Sequence, residues 1–278
     1  MGDLIQKLKI TILTPSFNQG EYIEQTIKSV MDQNVENVEH IIIDGGSTDS
    51  TIAVLKRYSH LKWVSERDEG QSDALNKGLA MATGDIIGWI NSDDYYEPNI
   101  FENVLAHFQD SSVNWIVGHS TDHYEGENQF RKVESKLINY RELLKGSEKT
   151  RQPPTFYRAA TLNDVHGFNK KLHYVMDFDL WIRLSKISPP KMVSTYYSYF
   201  RIHSEQKTKT RTYLLGFIEE IDSVLKKESV PFVKRKLILF KRYKGYIKLL
   251  VKMVLVKVHL LDKKYLVMNY SSRKWSAE

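Results

Sequence analysis

Four short apolar runs, each closed by a polar cluster, govern how the first hundred residues can fold. Residues 9–14 end on Pro15-Ser16-Phe17-Asn18-Gln19-Gly20, and residues 40–43 end on Asp44-Gly45-Gly46-Ser47-Thr48-Asp49. Residues 61–65 lead into the cluster 66–73, and Ile86-Ile87-Gly88-Trp89-Ile90 stops on Asn91-Ser92-Asp93-Asp94. Between them, 21–31, 50–58 and 72–81 carry apolar residues at helical spacing. Such a βαβαβαβ rhythm predicts an α/β fold, a mostly parallel sheet with helices on both faces. Ligands of open α/β sheets bind at the carboxyl ends of the strands, which is where all four polar clusters fall.

The last cluster carries the most chemistry. Two adjacent carboxylates repel each other unless a proton or cation sits between them. Oxygen ligands suit a hard ion such as Mg²⁺ or Mn²⁺, which would bridge to substrate phosphates. The same residue types also make turns and helix caps.

Farther along, 115–118, 130–133, 155–157 and the aromatic-rich 192–200 read as strands, and 138–145 and 176–186 as helices. Beyond Glu205 the pattern turns wholly helical, with one helix over 213–226. Pro231 then opens a second helix running to about Leu261.

Charge divides the chain at the same place. Residues 205–278 hold 18 lysines and arginines against 7 acids, whereas residues 1–204 hold 22 against 27. We therefore expect a mildly acidic catalytic unit over 1–204 and a basic helical extension over 205–278. In the second helix Lys234, Lys241, Lys244, Lys248 and Lys252 share one stripe beside a broad apolar face. That layout suits a helix lying in the surface of an anionic membrane. An ordinary core-capping helix with solvated lysines is the competing reading.

The chain has no cysteine, which excludes disulfides, thiolate metal sites and cysteine nucleophiles. The N-terminus lacks a signal-peptide layout, and no uncharged apolar run approaches the roughly 18 residues that span a bilayer. The expected location is the cytoplasm, peripheral on the inner face of the cell membrane.

Residues 9–203 resemble the family-2 glycosyltransferases, enzymes of the GT-A fold. The resemblance rests on ITILTPSFNQGEYIEQTIKSVMDQ, HIIIDGGSTDST, SERDEGQSDALNKGLAMATGDIIGWINSDD, QPPTFYR, HGFNKKL, MDFDLWIRL and FRIHSEQKT, in that order. It implies inverting transfer from a nucleotide diphospho-sugar, with UDP the expected nucleotide, helped by Mn²⁺ or Mg²⁺. Asp44 is implied to accept the imide N–H of uracil, with Pro15 and Phe17 against base or ribose. Asp68, Gln71, Asp73 and Asn76, at a helix start, are donor-binding candidates. Asn91 stands where the family's Asp-x-Asp begins, so it is assigned to a ribose hydroxyl and the metal to Asp93, with Asp94 and His203 beside it. Asp177 takes the place of the family's base, which removes the acceptor proton. Asp179 competes for that role as an acceptor-side residue, and Trp181 is an acceptor-pocket candidate. Gly45 and Met176 stand where many relatives carry an acid. Arg201 is a candidate diphosphate clamp.

The expected acceptor is a glycan or lipid-linked saccharide in surface polysaccharide assembly. A nucleotidyltransferase would need a Gly-rich phosphate loop with Arg or Lys after the first strand, and Pro15–Gly20 has neither basic residue. A nucleic-acid-binding protein, suggested by the pI of 9.1, lacks a recognised motif, and no nucleic-acid partner is expected. A non-catalytic nucleotide-sugar binder is the remaining alternative, prompted by Asn91 and Met176.

Overall fold

The computed structural model describes residues 7–136, 139–146, 150–203 and 211–241. Its first half alternates as the sequence predicts: β1 (Ile10–Ser16), α1 (Ile23–Met31), β2 (Val38–Asp44), α2 (Thr51–Leu55), β3 (Lys62–Ser65), α3 (Gln71–Met81) and β4 (Ile86–Trp89). Then follow β5 (Tyr95–Tyr96), α4 (Phe101–Phe108), β6 (Trp115–Tyr124), β7 (Gln129–Val133), α5 (Tyr140–Leu143) and β8 (Thr155–Arg158). The chain continues through α6 (Ala159–Asp164), α7 (Met176–Ile187), β9 (Lys191–Ile202) and α8 (Arg211–Lys227). Residues 232–241 are also helical. The predicted helix from Pro231 lies outside the described residues beyond that point, as do Lys244, Lys248 and Lys252.

The strands form one sheet in the order β3-β2-β1-β4-β8-β6-β9-β5, with β7 on the free part of the β6 edge. The four expected strands are parallel. Past β4 the sheet becomes mixed: β8 runs antiparallel to both β4 and β6, whereas β6 and β9 are parallel. The side chains follow the period of two that a strand imposes. Ile10, Ile12, Ile86, Ile90, Ile116 and Phe156 enter one core cluster, and Leu13, Ile87, Trp89, Trp115, Val117 and Tyr157 enter another. Burial on both faces is what a parallel α/β sheet requires.

The order β3-β2-β1-β4 places a topological switch between β1 and β4, since β2 and β3 wind away on one side and β4 lies on the other. A crevice at that switch is the usual ligand position. The helical extension begins as part of the same core: Leu214, Ile221, Val224 and Leu225 share a cluster with Met176, Phe178 and Trp181.

Candidate active site

Many of the predicted residues lie at or just beyond the carboxyl ends of β1, β2 and β4, though not all in the predicted roles. Pro15 is buried at the end of β1, and Phe17 beside it is 60% exposed. An exposed aromatic ring at a strand C-terminus offers a flat apolar surface to a ligand. Asp44, at the end of β2, has no exposed surface and is held by its own loop and by the end of β3. It accepts from the Gly46 and Ser47 N–H groups at 3.1 and 2.8 Å and from the Ser47 and Ser65 hydroxyls at 2.5 and 2.7 Å. Here it shapes the turn. Asp68 faces the same loop: a Cβ added to Gly45 would stand 2.8 Å from its Oδ2 and 3.4 Å from the Phe17 ring. The bare Gly45 thus makes room for the Asp68 carboxylate, whose Oδ1 accepts the Gly70 N–H at 2.8 Å.

Asn91 is a bracket at the end of β4. Its carbonyl accepts from the Trp89 indole N–H at 2.9 Å and from Gln71 at 2.6 Å, while its amide donates to Asp94 at 3.3 Å. Asp94 turns inward, 1% exposed, and its Oδ1 accepts the Arg201 backbone N–H at 2.9 Å. Burial, and then the Asp93 charge, push its carboxyl well above the usual carboxylate range. A carboxyl turned inward and bonded to the Arg201 backbone is poorly placed to ligate a cation, which corrects the expectation for Asp94. Arg201 is likewise committed. It donates to the Asp93 carbonyl at 2.8 Å, to Glu125 at 2.8 Å and to Gln25, and it lies over the Tyr22 and Tyr95 rings. Its donors hold the site together, so it is not a free diphosphate clamp.

Asp93 and His203, the two residues assigned to the metal together with Asp94, stand with Oδ2 and Nε2 3.2 Å apart. The short strand β5 brings them together, because Tyr95 pairs with Tyr199 and Tyr96 with Ser198, antiparallel. That register carries the residues before β5 toward those after β9. The His203 Nδ1 is buried with no hydrogen-bond partner among the described residues, and its ring packs 4.4 Å from Tyr22. The Asp93 carboxylate oxygen and the His203 Nε2 beside it form a donor pair that fits a divalent cation whose remaining ligands would come from water or phosphate. Among the described residues no group of three His, Cys, Asp or Glu assembles.

Asp177 lies half-buried in the first turn of α7 and accepts the Phe178 N–H at 2.7 Å. Its charge is felt at Tyr157, whose hydroxyl is raised mainly by burial and in part by Asp177. Asp179 points elsewhere. It is buried and holds Arg183 at 2.8 Å, and Arg183 donates to the Val165 and Gly167 carbonyls. This is a brace for the loop before α7. Trp181 is 2% exposed and donates to the Tyr157 hydroxyl at 3.2 Å, which makes it core and corrects its place in an acceptor pocket.

Two donor candidates also have structural duties. Asp73 pairs with Lys170 at 2.5 Å, which together with Lys77 and the Glu69 N–H lowers its pKa. Asn76 exchanges two hydrogen bonds with the Phe168 backbone, at 2.8 and 2.9 Å. Both fasten α3 to the segment before α7.

Sequence reasoning passed over Thr26 and Gln152. The Thr26 hydroxyl lies 2.9 and 2.6 Å from the Ser92 and Asp94 carbonyls, and Gln152 donates to the Trp89 carbonyl at 2.6 Å. Both brace the β4 terminus from distant elements, and although each stands within a matching stretch, neither carries the charge or ring that marks a ligand-binding candidate.

The family model "Glycosyl transferase family 2" matches residues 11–167. The chain is 26% identical over 190 residues to a chondroitin synthase of Escherichia coli, covering 66% of this chain and 28% of the relative. It is 28% identical over 185 residues to a hyaluronan synthase of Pasteurella multocida, covering 64% and 19%. The chain thus spans well under half the length of these curated relatives. Among solved structures, S. aureus TarS 1-349 in complex with UDP-GlcNAc superposes with a TM-score of 0.64 at 19% identity, covering 84% of this chain and 71% of that one. The mannosyltransferase PcManGT of Pyrobaculum calidifontis, in complex with GDP-Man and Mn²⁺, gives 0.58 at 15% identity, covering 86% and 70%. These superpositions match a GT-A fold, and with the family model covering more than half its length, this chain belongs to glycosyl transferase family 2.

Proposed function

We propose that this enzyme moves a sugar, with inversion, from a UDP-sugar to a hydroxyl of a glycan or lipid-linked saccharide during surface polysaccharide assembly. The observation that carries this reading is the meeting of Asp93 and His203 at the switch-point crevice. The polysaccharide products named in two relatives, and the UDP-GlcNAc bound to TarS, support the choice of donor and product class. Residues 1–204 form the catalytic unit in this reading, with 205–278 as its extension.

Phe17 receives the base, and Asp68 and Gln71 face the ribose and sugar side. Asp93 and His203 would hold Mn²⁺ or Mg²⁺, and an imidazole donor tilts the choice toward manganese. When bound, the ion would offset the charge that gathers on the leaving diphosphate. Asp177 accepts the proton of the acceptor hydroxyl as that oxygen bonds to the anomeric carbon and the bond to diphosphate breaks. The test is hydrolysis of a panel of nucleotide sugars by purified protein with Mn²⁺. Preferred turnover of a UDP-sugar supports the reading, and turnover of GDP-sugars alone overturns the donor assignment.

The extension supports a membrane role. In the helix 232–241, Phe232, Val233, Leu237 and Phe240 are exposed beside Lys234, Lys236 and Lys241. Among the described residues no helix is long and apolar enough to cross a membrane. An apolar face edged by lysines favours the surface of an anionic bilayer. Flotation with phosphatidylserine vesicles at low salt should carry the full chain upward, and protein left at the bottom would overturn this part.

A further inference from the structure

The segment leading into Asp177 is held from outside the nucleotide-binding fold. Helix α7 starts after Val175 without a side-chain cap from its own sequence neighbours, although a helix start leaves N–H groups without partners. Glu220 of α8, 45 residues beyond Val175, supplies acceptors. Its Oε1 accepts the His173 N–H at 2.8 Å, and its Oε2 accepts the Tyr174 and Val175 N–H groups at 2.9 and 3.2 Å. Bonds of N–H groups to a carboxylate are among the stronger hydrogen bonds.

A second contact on the same helix face fixes the same segment. Gly216 precedes Glu220 by four residues, so the two share a face of α8. A Cβ at Gly216 would stand 2.2 Å from the Tyr174 ring, which therefore rests on bare helix backbone. No other residue type fits there without moving Tyr174.

We infer that Glu220 is a positioning residue for the reaction, setting the start of α7 and thereby the placement of Asp177, with the Gly216–Tyr174 contact as its steric partner. The inference rests on Asp177 being the base. Asp177 is two residues beyond Val175, so a shift of the clamped segment moves its carboxylate directly. Misplacing a reacting group by about 1 Å costs on the order of 10²-fold in rate. Neither clamp residue lies in the conserved-order motifs of the catalytic unit, and both belong to the extension.

The experiment uses the full chain as wild type, Glu220→Ala, Glu220→Gln, Gly216→Ala and Asp177→Asn. Three quantities are read: UDP affinity by calorimetry with Mn²⁺, kcat for hydrolysis of the UDP-sugar that the panel selects, and amide exchange of the peptide spanning 172–176. Glu220→Ala should speed exchange at residues 173–175 and lower kcat by about 10²-fold, with UDP affinity unchanged. Gly216→Ala should do the same without removing a charge. Glu220→Gln, which keeps one carbonyl acceptor, should fall between and serves if the alanine variant does not fold. Retained kcat in folded Glu220 variants while Asp177→Asn is inactive overturns the clamp alone. Full activity of Asp177→Asn overturns the base reading, and the inference falls with it. Loss of kcat in strict proportion to UDP affinity makes Glu220 merely structural and also overturns the inference.

Discussion

Asp93 and His203 stand 110 positions apart in the chain and 3.2 Å apart in space. Their meeting depends on the two-residue pairing of Tyr95–Tyr96 with β9 and on Arg201, which bonds the Asp93 carbonyl and the Asp94 carboxylate from the same strand. A cation held by one carboxylate and one imidazole loses most of its hold when either is removed. Asp93→Ala and His203→Ala should each weaken Mn²⁺-dependent UDP binding strongly, and the double variant should be little worse than Asp93→Ala, because residues sharing one ion do not act additively. Calorimetric titration of UDP with and without Mn²⁺ measures this. Metal-dependent affinity intact in the double variant would move the site elsewhere.

Asp177 and Asp179 are separated by their partners. Asp177→Asn should keep donor affinity and lower kcat by roughly 10²–10⁴-fold, the usual worth of a general base. Asp179→Asn removes the charge that holds Arg183, so its effect should be on thermal stability and only secondarily on rate. A reversal of these two patterns would give the base role to Asp179.

Asn91→Asp restores the acid that the family carries at that position, yet the structure argues against a simple gain. The amide that donates to Asp94 would become a second carboxylate facing it. Leaving buried polar groups unpaired costs about 1–3 kcal/mol, so the variant should melt at lower temperature at neutral pH. Added Mn²⁺ should recover part of the loss. A metal-independent rise in melting temperature would contradict the bracket role of Asn91.

Acid should destabilise the sheet through two buried groups. Burial, and then the charge of His60, lower His40 to about 3 from the usual 6.5 of a histidine. Glu39 is lowered to about 2 from 4.5: burial pulls its pKa upward, but bonds from Lys62, Thr11 and Thr83 outweigh it. Both folded values lie below the unfolded ones, so stability is full above the unfolded pKa and drains as pH falls toward the folded pKa. The melting temperature should therefore decline from about pH 6.5 downward, first through His40 and then, below pH 4.5, through Glu39. His40→Gln should cost less at pH 5 than at pH 7.5, and an equal cost at both would exclude His40 as the source.

The parallel half of the fold was readable because buried strands show as apolar runs and their polar ends fall at one edge. The mixed half was harder. β5 has two residues and exists only through its pairing with β9, which no local pattern announces. Helix α4 did carry a signal, Phe101, Val104 and Phe108 at helical spacing, and all three are buried. In the candidate site, the motifs marked the polar strand ends but not which side chains there are tied up by the fold. Asp73, Asn76 and Asp94 are the same residue types as those proposed to face the ligand, and only the structure shows them tied to Lys170, Phe168 and Arg201. Glu220 had no legible role at all, since a glutamate on an amphipathic helix looks solvated whatever backbone it meets.

The saturation of Asp44 has a consequence for kinetics. Because four donors within residues 46–65 already hold its carboxylate, the loop proposed to meet the nucleotide is set when the chain folds. Arrival of the donor then needs no ordering of that loop, and the entropy of fixing it falls on folding rather than on each encounter. A nucleotide should dock there at a rate limited by diffusion and orientation, and sluggish recognition would have to originate on the acceptor side.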